Sequence, residues 1–422
     1  MFLWTSTMLA LAADGASGWG DLGELGTEAA PTPVHESRLY GYIDSYWEMV
    51  APVPEAVEDG QTVHGDSSRE FDIPNFNVML QGSVHGRYRY FINLAAPGAG
   101  SATSDEGVGV RNAWVEVPLR GDALAVRAGK LYRRFGLYNE VLDAVPTFIG
   151  IEPPELFDKD HLMLTRTTNL MLFGSLPLSP STRLHYAATT GNDESNGRSV
   201  PLGADAHVAT HGFKAGTSFY WTGGYASPSR AVGEGSPRGG VANWMAEDEY
   251  VVYGGYAEGT PGSFTLQAEF WRADHDAVRD PDAVALLDDG TLNPRQAERF
   301  FDAGDPGRGP APPEVRYAVQ TAYVRAGYAV DIGQRASVTP YAQGDWYSNP
   351  ETVANKDLGG DAEAGLADDG VFLKYTAGVV IRPVPQVALK VDGSAHQFLY
   401  NDAVEVFPEV RLSLSYLWQL EQ

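Results

Sequence analysis

The sequence of 422 residues predicts an all-β fold, a transmembrane antiparallel up-and-down β-barrel of about 16 strands. Three observations predict it. From Arg38 onward, segments of roughly ten residues alternate between apolar and polar side chains, the period of a strand with two different faces. The connections between these segments alternate between short and long. No stretch approaches the ~20 consecutive apolar residues that a membrane-spanning helix requires.

Sixteen segments show the alternation, and turn residues bound each of them. They are approximately 38–50, 72–83, 86–96, 107–118, 122–133, 167–178, 181–190, 206–214, 217–226, 248–258, 262–273, 314–330, 335–347, 370–383, 386–398 and 405–418. In one of them, Phe264, Leu266 and Phe270 share one parity. Gln267 and Glu269 share the other. One face of the sheet is therefore expected to contact lipid and the other an aqueous interior.

The short connections join each even-numbered segment to the next odd-numbered one. They include 84–85, 119–121, 178–181, 215–216, 259–262, 331–333 and 383–385, whereas 51–71, 97–106, 134–166, 227–247, 274–313 and 348–369 are long. If the strands run up and down, all tight turns lie at one end of the sheet and all long loops at the other. Outer-membrane barrels have short periplasmic turns and long extracellular loops, whereas a soluble β-sandwich would scatter its loop lengths.

Large aromatic residues lie near the ends of the segments. Those adjoining long loops are Trp47, Trp221, Tyr225, Phe270, Trp271, Trp346, Phe398 and Phe407, and those at the opposite end are Tyr416 and Trp418. Two aromatic girdles at the bilayer interfaces would give this distribution. A soluble aromatic core would instead place these residues near segment centres.

The N-terminus resembles an export signal. Residues 1–13 have a short apolar region that ends in Ala10-Leu11-Ala12, an A-x-A cleavage pattern, although the usual positive start is missing. We predict a signal peptide over 1–13 with a truncated start, a periplasmic acidic linker over 14–36 and the barrel over 37–422. The alternative for the first residues is a buried N-terminal helix.

Composition excludes several classes of function. The formal net charge of -25 argues against nucleic acid as a partner, because phosphate binding relies on a surplus of Lys and Arg. The chain has no Cys, and it lacks G-x-S-x-G, P-loop and H-E-x-x-H motifs. His207 and His211 could touch a metal, but two His without a third ligand predict polar lining instead. We therefore expect no enzymatic activity, no cofactor and no metal.

Three segments carry a resemblance to a known family. "LYGYIDSYW", "NFNVMLQGSV" and "RNAWVEVPLRGDALAVRAGKLYRRFGLYNE" resemble Gram-negative outer-membrane porins, especially the phosphate-selective porin O/P type and related β-barrel porins. The resemblance implies a water-filled channel in the bacterial outer membrane for passive diffusion of small solutes, with anions preferred. It also implies outer-membrane lipid and lipopolysaccharide as surroundings and a homotrimer as the assembly to test.

One feature departs from the porin pattern. Such barrels usually end on an aromatic residue, whereas "QLEQ" follows Trp418 here. The rival class is an outer-membrane barrel with a closed lumen that acts as an adhesin or a surface hydrolase. That class would need a catalytic cluster at the mouth, or a barrel plugged by its loops.

The polar parity predicts which charged residues line the pore. They are Arg87, Arg89, Arg127, Arg133, Arg183, Glu116, Glu269, Arg316, Asp345, Lys374, Arg382, Lys390 and Arg411. Cations outnumber acids in this set, and a narrow lumen focuses the field of its lining charges, so an anion preference is expected. Alternatively, the cations pair with acids across the lumen as a structural lattice. The two interpretations can coexist.

The segment 111–140 gathers positive charge in an acidic chain. A hairpin with its turn near residue 120 places Trp114 opposite Arg127, both inward, where a cation–π contact is allowed. It also places Arg111 opposite Lys130 on the outward parity. Like charges directly opposite each other destabilise a strand pair unless an anion lies between them.

We therefore predict contact with a lipopolysaccharide phosphate near the extracellular rim, through Arg111, Lys130 and Arg134. The alternative is a bulge at Gly129, which would swing Lys130 into the lumen.

Two long connections contain helical candidates. In the 134–166 connection, Pro153-Pro154 precede a short helical turn suited to packing inside a lumen, so this connection is predicted to fold inward as a constriction. The 274–313 connection has a second candidate that begins at Asn293-Pro294 and is expected to be extracellular.

Overall fold

The computed structural model describes residues 35–58, 61–96, 108–141, 145–154, 167–191, 200–222, 244–288, 292, 294–353 and 362–420. The predicted signal peptide, residues 14–34 of the predicted linker and the predicted helical turn after Pro154 lie outside these residues. The described barrel begins at His35, inside the predicted linker. Within the described residues, no helix is long and apolar enough to cross a bilayer.

The strands follow one another around a single sheet. They are β1 (His35–Val50), β2 (Pro54–Glu58), β3 (Gln61–His64), β4 (Ser68–Val84), β5 (Tyr88–Ala95), β6 (Gly109–Arg120), β7 (Leu124–Leu131), β8 (Thr167–Ser179), β9 (Thr182–Gly191), β10 (Leu202–Thr210), β11 (Phe213–Trp221), β12 (Met245–Gly259), β13 (Phe264–Arg279), β14 (Glu314–Tyr328), β15 (Val330–Ile332), β16 (Ala336–Ser348), β17 (Val371–Val384), β18 (Val387–Tyr400) and β19 (Ala403–Leu420). β2 and β3 form a separate hairpin, and β15 continues the line of β14 along β16, so the barrel has sixteen strand positions.

The sheet closes on itself through β1. Tyr42 pairs with Asn77 of β4 on one side and with Leu417 of β19 on the other. Each strand pair in the barrel is antiparallel. A closed barrel pairs its backbone polar groups between neighbouring strands and leaves no open edge, which is the condition for crossing a bilayer with strands. The predicted fold class is confirmed.

The two faces of the barrel differ as the alternation predicted. In β19, Val406, Leu412 and Leu414 point outward and are exposed. The intervening Glu409 and Ser413 point inward and are buried. Burying the outward side chains in lipid removes apolar surface from water, which favours insertion at about 25 cal/mol per Å².

The connections have the predicted polarity with one exception. Short turns at one end comprise 85–87, 121–123, 180–181, 211–212, 260–263, 333–335 and 385–386, and we call this the short-turn end. The opposite end carries the long loops. β18 and β19, however, are joined at the long-loop end by Asn401 and Asp402 alone, both with positive φ.

One predicted turn was misplaced. We expected it at Ala215-Gly216, but it lies at His211 and Gly212, so the predicted segments 206–214 and 217–226 are wrong in register. Gly216 lies within β11, where an added Cβ would overlap the Cβ of His207 on β10. This glycine permits close strand packing instead of forming a turn.

The long-loop end contains the helical segments. The α-helices are Pro281–Ala285, Pro294–Phe300 and Ala362–Leu366, and the predicted helix at Pro294 is confirmed. Its Phe300 is fully buried with Trp244 and Val284 from neighbouring loops. These three side chains belong to the same cluster as Phe372 and Phe398 of the inner wall. The loops therefore pack over the inner face at this end of the barrel.

The membership of the aromatic girdles was partly wrong. Trp271, Phe398 and Phe407 are buried on the inner face, because they pack against loops that enter the barrel. The outward Phe270 and Tyr416 are about half exposed, at 45% and 49%. Tyr225 lies outside the described residues.

Candidate functional site in the barrel lumen

A stretch of the long connection after β7 enters the barrel. We call residues 132–141 and 145–154 the inward segment. β7 ends at Leu131, and all side chains from Tyr132 to Asn139 that follow it are buried. Gly136 has φ of 61°, a left-handed conformation that suits glycine, and it directs the chain toward Glu269 on the inner wall. The described part of the predicted constriction element does fold inward.

The first half of the inward segment is bound to the β13–β14 wall. The Leu137 amide donates to Glu269 Oε1 over 3.1 Å, and the Tyr138 hydroxyl donates to Gln267 Oε1 over 2.6 Å. Arg325 donates to the Tyr138 hydroxyl oxygen. Burial raises the pKa of Tyr138 to about 12, so its hydroxyl keeps the proton that it donates.

The second half lies along cations of β17 and β18. Lys390 Nζ donates to the carbonyl oxygens of Val145 and Gly150, both over 2.8 Å. Arg382 donates to the carbonyl oxygen of Pro146 over 2.6 Å. Main-chain carbonyls thus accept hydrogen bonds from both cations, of which Lys390 is buried and Arg382 is half-buried.

Glu152 ends this run with a charged contact. Its Oε2 lies 3.0 Å from Lys374 Nζ and also forms an ion pair with Arg411. Arg411 also contacts Glu409 and donates from Nε to Glu48 Oε1 over 2.6 Å. Two cations and three carboxylates therefore form one network, in which Glu152 alone comes from the inward segment.

A second charged network lies on β5, β6 and β7. Arg127 forms an ion pair with Glu116 at 2.9 Å and lies 3.6 Å from Glu140 of the inward segment. Arg89 lies 3.7 Å from the same Glu116. The guanidinium carbon of Arg127 is 4.1 Å from the Trp114 ring centroid, so the predicted cation–π contact is present.

The register that led to this contact was wrong by two residues. Trp114 pairs with Gly129 and Glu116 pairs with Arg127, because the turn lies at 121–123 and not near residue 120. Arg127 therefore reaches Trp114 diagonally. A Cβ on Gly129 would overlap the backbone at Trp114, so the glycine permits this close approach.

The three predicted lipopolysaccharide contacts are not together. Lys130 is exposed on the outer face and donates to the Val110 carbonyl over 2.7 Å, so the alternative in which it enters the lumen is wrong. It pairs with Ala113 and not with Arg111, which is partly exposed at a register shift. Arg134 is buried in the inward segment, 3.0 Å from Glu140. Its assignment to the rim is wrong because the chain turns inward after Leu131.

Most predicted pore-lining residues do lie on the inner face of barrel strands, namely Arg89, Glu116, Arg127, Arg183, Glu269, Asp345, Lys374, Arg382, Lys390 and Arg411. Arg133 lies in the inward segment, with its guanidinium carbon 4.8 Å from the Tyr220 ring centroid. Arg87 is wrong as wall lining, since it is exposed in the turn before β5.

Arg316 was assigned to the wrong face. Its side chain is 83% exposed on the outer surface, paired with Asp276. Both parities of this strand contain apolar residues, and the inward set includes Tyr317 and Tyr323, which pack on loops instead of lipid. The inward cation of β14 is Arg325, which the sequence analysis missed. The tyrosines at the same parity made that face look like the apolar, lipid-facing one.

Sequence reasoning also missed acids on the inner face. They include Glu48, Asp205, Asp248, Glu258 and Glu409, of which the first four lie near strand ends or outside the predicted segment bounds. Asp205 could have been found from its i,i+2 spacing to His207, since both share one face of a strand. Within the described wall, Arg127, Lys374 and Arg411 pair with acids, as the lattice alternative requires, whereas Lys390 and Arg382 donate to main-chain carbonyls. These acids remove the predicted cation surplus.

The histidines do not form a metal site. His207 is buried, 3.0 Å from Asp205, and its ring stacks on His185 at 4.7 Å. His211 lies apart from it in the turn before β11. Across the part of the chain that the structure describes, no group of three His, Cys, Asp or Glu side chains could hold a metal ion.

Comparisons with known proteins agree with the barrel geometry. No protein-family model matches the chain, and no curated protein matches it. An anion-selective porin from Comamonas acidovorans has a similar structure, with a TM-score of 0.57, 12% identity, and coverage of 91% of this chain and 100% of that one. OmpF of Salmonella typhi, solved with daunomycin, is also similar, with a TM-score of 0.52 and 14% identity. The match covers 93% of this chain and 100% of that one. At these identities the likeness establishes a shared fold.

A third similar structure is the trimer form of OmpT, an outer membrane protein of Vibrio cholerae. It gives a TM-score of 0.52 and 10% identity, covering 92% of this chain and 100% of that one. The class that fold and inner wall define is thus a closed sixteen-strand barrel of porin architecture with an inward loop.

Proposed function

We propose that the protein is an outer-membrane porin, a channel for passive diffusion of small solutes. The observation that carries the proposal is the closed sixteen-strand barrel, apolar outside and charged inside. Sixteen strands enclose an interior wide enough for water unless loops fill it. The likeness to an anion-selective porin supports a channel over the rival adhesin or surface hydrolase. The three resembling segments support a phosphate-selective porin O/P-like or related family.

Membrane association is the first expected result. The outward apolar band needs lipid or detergent, so the protein should fractionate with the bacterial outer membrane and require detergent for extraction. Its electrophoretic mobility should change on heating, because the closed sheet resists detergent until it unfolds. Recovery as a soluble monomer without detergent would rule out the proposal.

Residues 1–13 are proposed as the cleaved signal and 14–34 as a periplasmic linker.

Anion preference is the finer part of the proposal. On the β5–β7 side, Arg89, Arg127 and Arg134 share two carboxylates, Glu116 and Glu140. This local excess of positive charge lies in the lumen, where screening is weaker than over exposed loops, since bulk salt screens charges over about 8 Å. We propose that it favours anions modestly over cations. The sign of the reversal potential across a KCl gradient tests this.

Lipopolysaccharide contact is proposed for Arg111 and Lys130 alone. We expect Gln at both positions to weaken retention of lipopolysaccharide by the purified barrel, because two phosphate-binding charges at the outer surface are removed. The amount of lipopolysaccharide that co-purifies should fall, while the reversal potential stays unchanged. If co-purified lipopolysaccharide is unaltered, the two residues have no such role.

A homotrimer is the proposed assembly. Support comes from the trimer form of a protein with the same architecture. The mass of the unheated detergent complex, measured by sedimentation, distinguishes a trimer from a monomer.

A further inference from the structure

Glu152 is held in the way that a bound anionic solute would be. Its carboxylate lies between Lys374 and Arg411, on β17 and β19, and comes from a loop and not from the wall. The side chain remains 39% exposed, although its two partners are 6% and 12% exposed. Solvent therefore reaches part of the Glu152 side chain, whereas Lys374 is buried behind it and Arg411 is mostly covered.

The surrounding wall forms a polar cavity beside this carboxylate. Thr376 and Ser394 line it with hydroxyl groups 2.9 Å apart. The Tyr341 hydroxyl also lines it and donates to Asp392. These groups offer hydrogen bonds to a molecule that enters beside Lys374. Lys374 and Arg411 line the same cavity, together with the carboxylate of Asp392.

Glu152 is the replaceable acid of the network. Glu409 contacts both cations and Glu48 contacts Arg411, but these two acids belong to strands and their side chains are only 3% and 17% exposed. If Glu152 moved away, Lys374 and Arg411 would face these two acids alone. An incoming carboxylate would then restore the arrangement of two cations and three carboxylates that the folded protein already tolerates.

We propose that Lys374 and Arg411 form a carboxylate-binding site in the lumen wall, which Glu152 occupies until a carboxylate-bearing solute displaces it. The site rests on the proposed function in one respect, since the solute must arrive through the lumen. Glu152 acts as an internal competitor that keeps binding weak. A weakly held solute can leave again, as passage through a pore requires.

The test is equilibrium dialysis of radiolabelled glutarate against the detergent-folded protein at low ionic strength. Glu152→Gln removes the competing charge at nearly constant volume, so the dissociation constant for glutarate should fall about tenfold. The double variant with Lys374→Gln should lose this gain. The affinity for inorganic phosphate, measured in parallel, should rise less than threefold in Glu152→Gln, because the two cations are placed around the planar carboxylate of Glu152.

Asp248→Asn is the matched control. It removes another inner-face carboxylate, whose partners are His275 and Tyr317 of the wall, and it has no part in the Lys374–Arg411 site. Its glutarate affinity should equal that of the wild type. Equal gains in both variants, or an equal gain for phosphate, would overturn the proposal. Should Glu152→Gln fail to fold, wild type must still bind glutarate more tightly than Lys374→Gln.

Binding in detergent does not depend on conduction. A silent bilayer with strengthened glutarate binding would refute the channel and leave the site intact. A conducting channel with unchanged glutarate binding would refute the site alone.

Discussion

Replacing Gly136 with Ala should weaken the packing of the inward segment against the barrel wall. At φ of 61° a side chain costs about 1–2 kcal/mol, and the added Cβ would overlap Glu269 Oε2. Glu269 cannot move aside easily, because Trp271 Nε1 and the Tyr323 hydroxyl donate to it over 2.9 and 2.8 Å. We expect the free energy of unfolding to fall by about 2–4 kcal/mol, a loss in the range measured for strained and overpacked sites.

The measurement is the temperature at which the folded electrophoretic band converts to the unfolded one. Gly262→Ala is the control, because Gly262 has nearly the same φ, 64°, with open space around its Cβ position. Gly136→Ala should lower the transition temperature clearly more than the control, and single-channel current should become larger and noisier. Equal shifts in transition temperature for the two variants would mean that backbone strain alone causes the loss. The inward segment would then not pack against Glu269 as described.

Replacing both Arg127 and Arg133 with Gln should at least halve the anion preference. Both guanidinium groups lie inside the barrel, where Arg127 shares Glu116 and Glu140 with other cations. Removing two positive charges from a narrow lumen changes the potential that an entering ion meets. The reversal potential across a KCl gradient should move toward the value for a non-selective pore.

Arg316→Gln is the control for this charge change. It removes a cation from the outer face, where bulk salt screens the exposed side chain. Its reversal potential should match the wild type. A cation-selective wild-type channel would contradict the preference itself, and an equal shift in the control would show that the lumen charges are not responsible.

The sequence predicts the barrel well because lipid imposes the pattern. Outward positions must be apolar and inward ones can be polar, so β19 shows a clear alternation from Pro408 to Leu414. Where loops press on the inner face, the pattern fails. Trp271 is apolar and inward because Phe135 packs on it, with ring centroids 4.3 Å apart. Such contacts join residues distant in sequence, and local alternation cannot reveal them.

The sequence predicts which charged residues line the lumen, but not which of them contact one another. The parity rule correctly placed Lys374, Lys390 and Arg411 inside, although it could not show that Glu152 meets two of them. That contact depends on the path of the inward segment. Arg134 illustrates the reverse error, because extending β7 by three residues would place it at the rim, whereas the strand ends at Leu131.

Single-channel recording tests the central claim most directly. Protein whose folded, heat-modifiable band has been verified is added to a planar bilayer, and the same protein unfolded by heat serves as the control. A polar lumen enclosed by sixteen strands predicts stepwise conductance from the folded sample and none from the unfolded one. A silent bilayer that contains demonstrably folded protein would contradict the claim that this barrel is a channel.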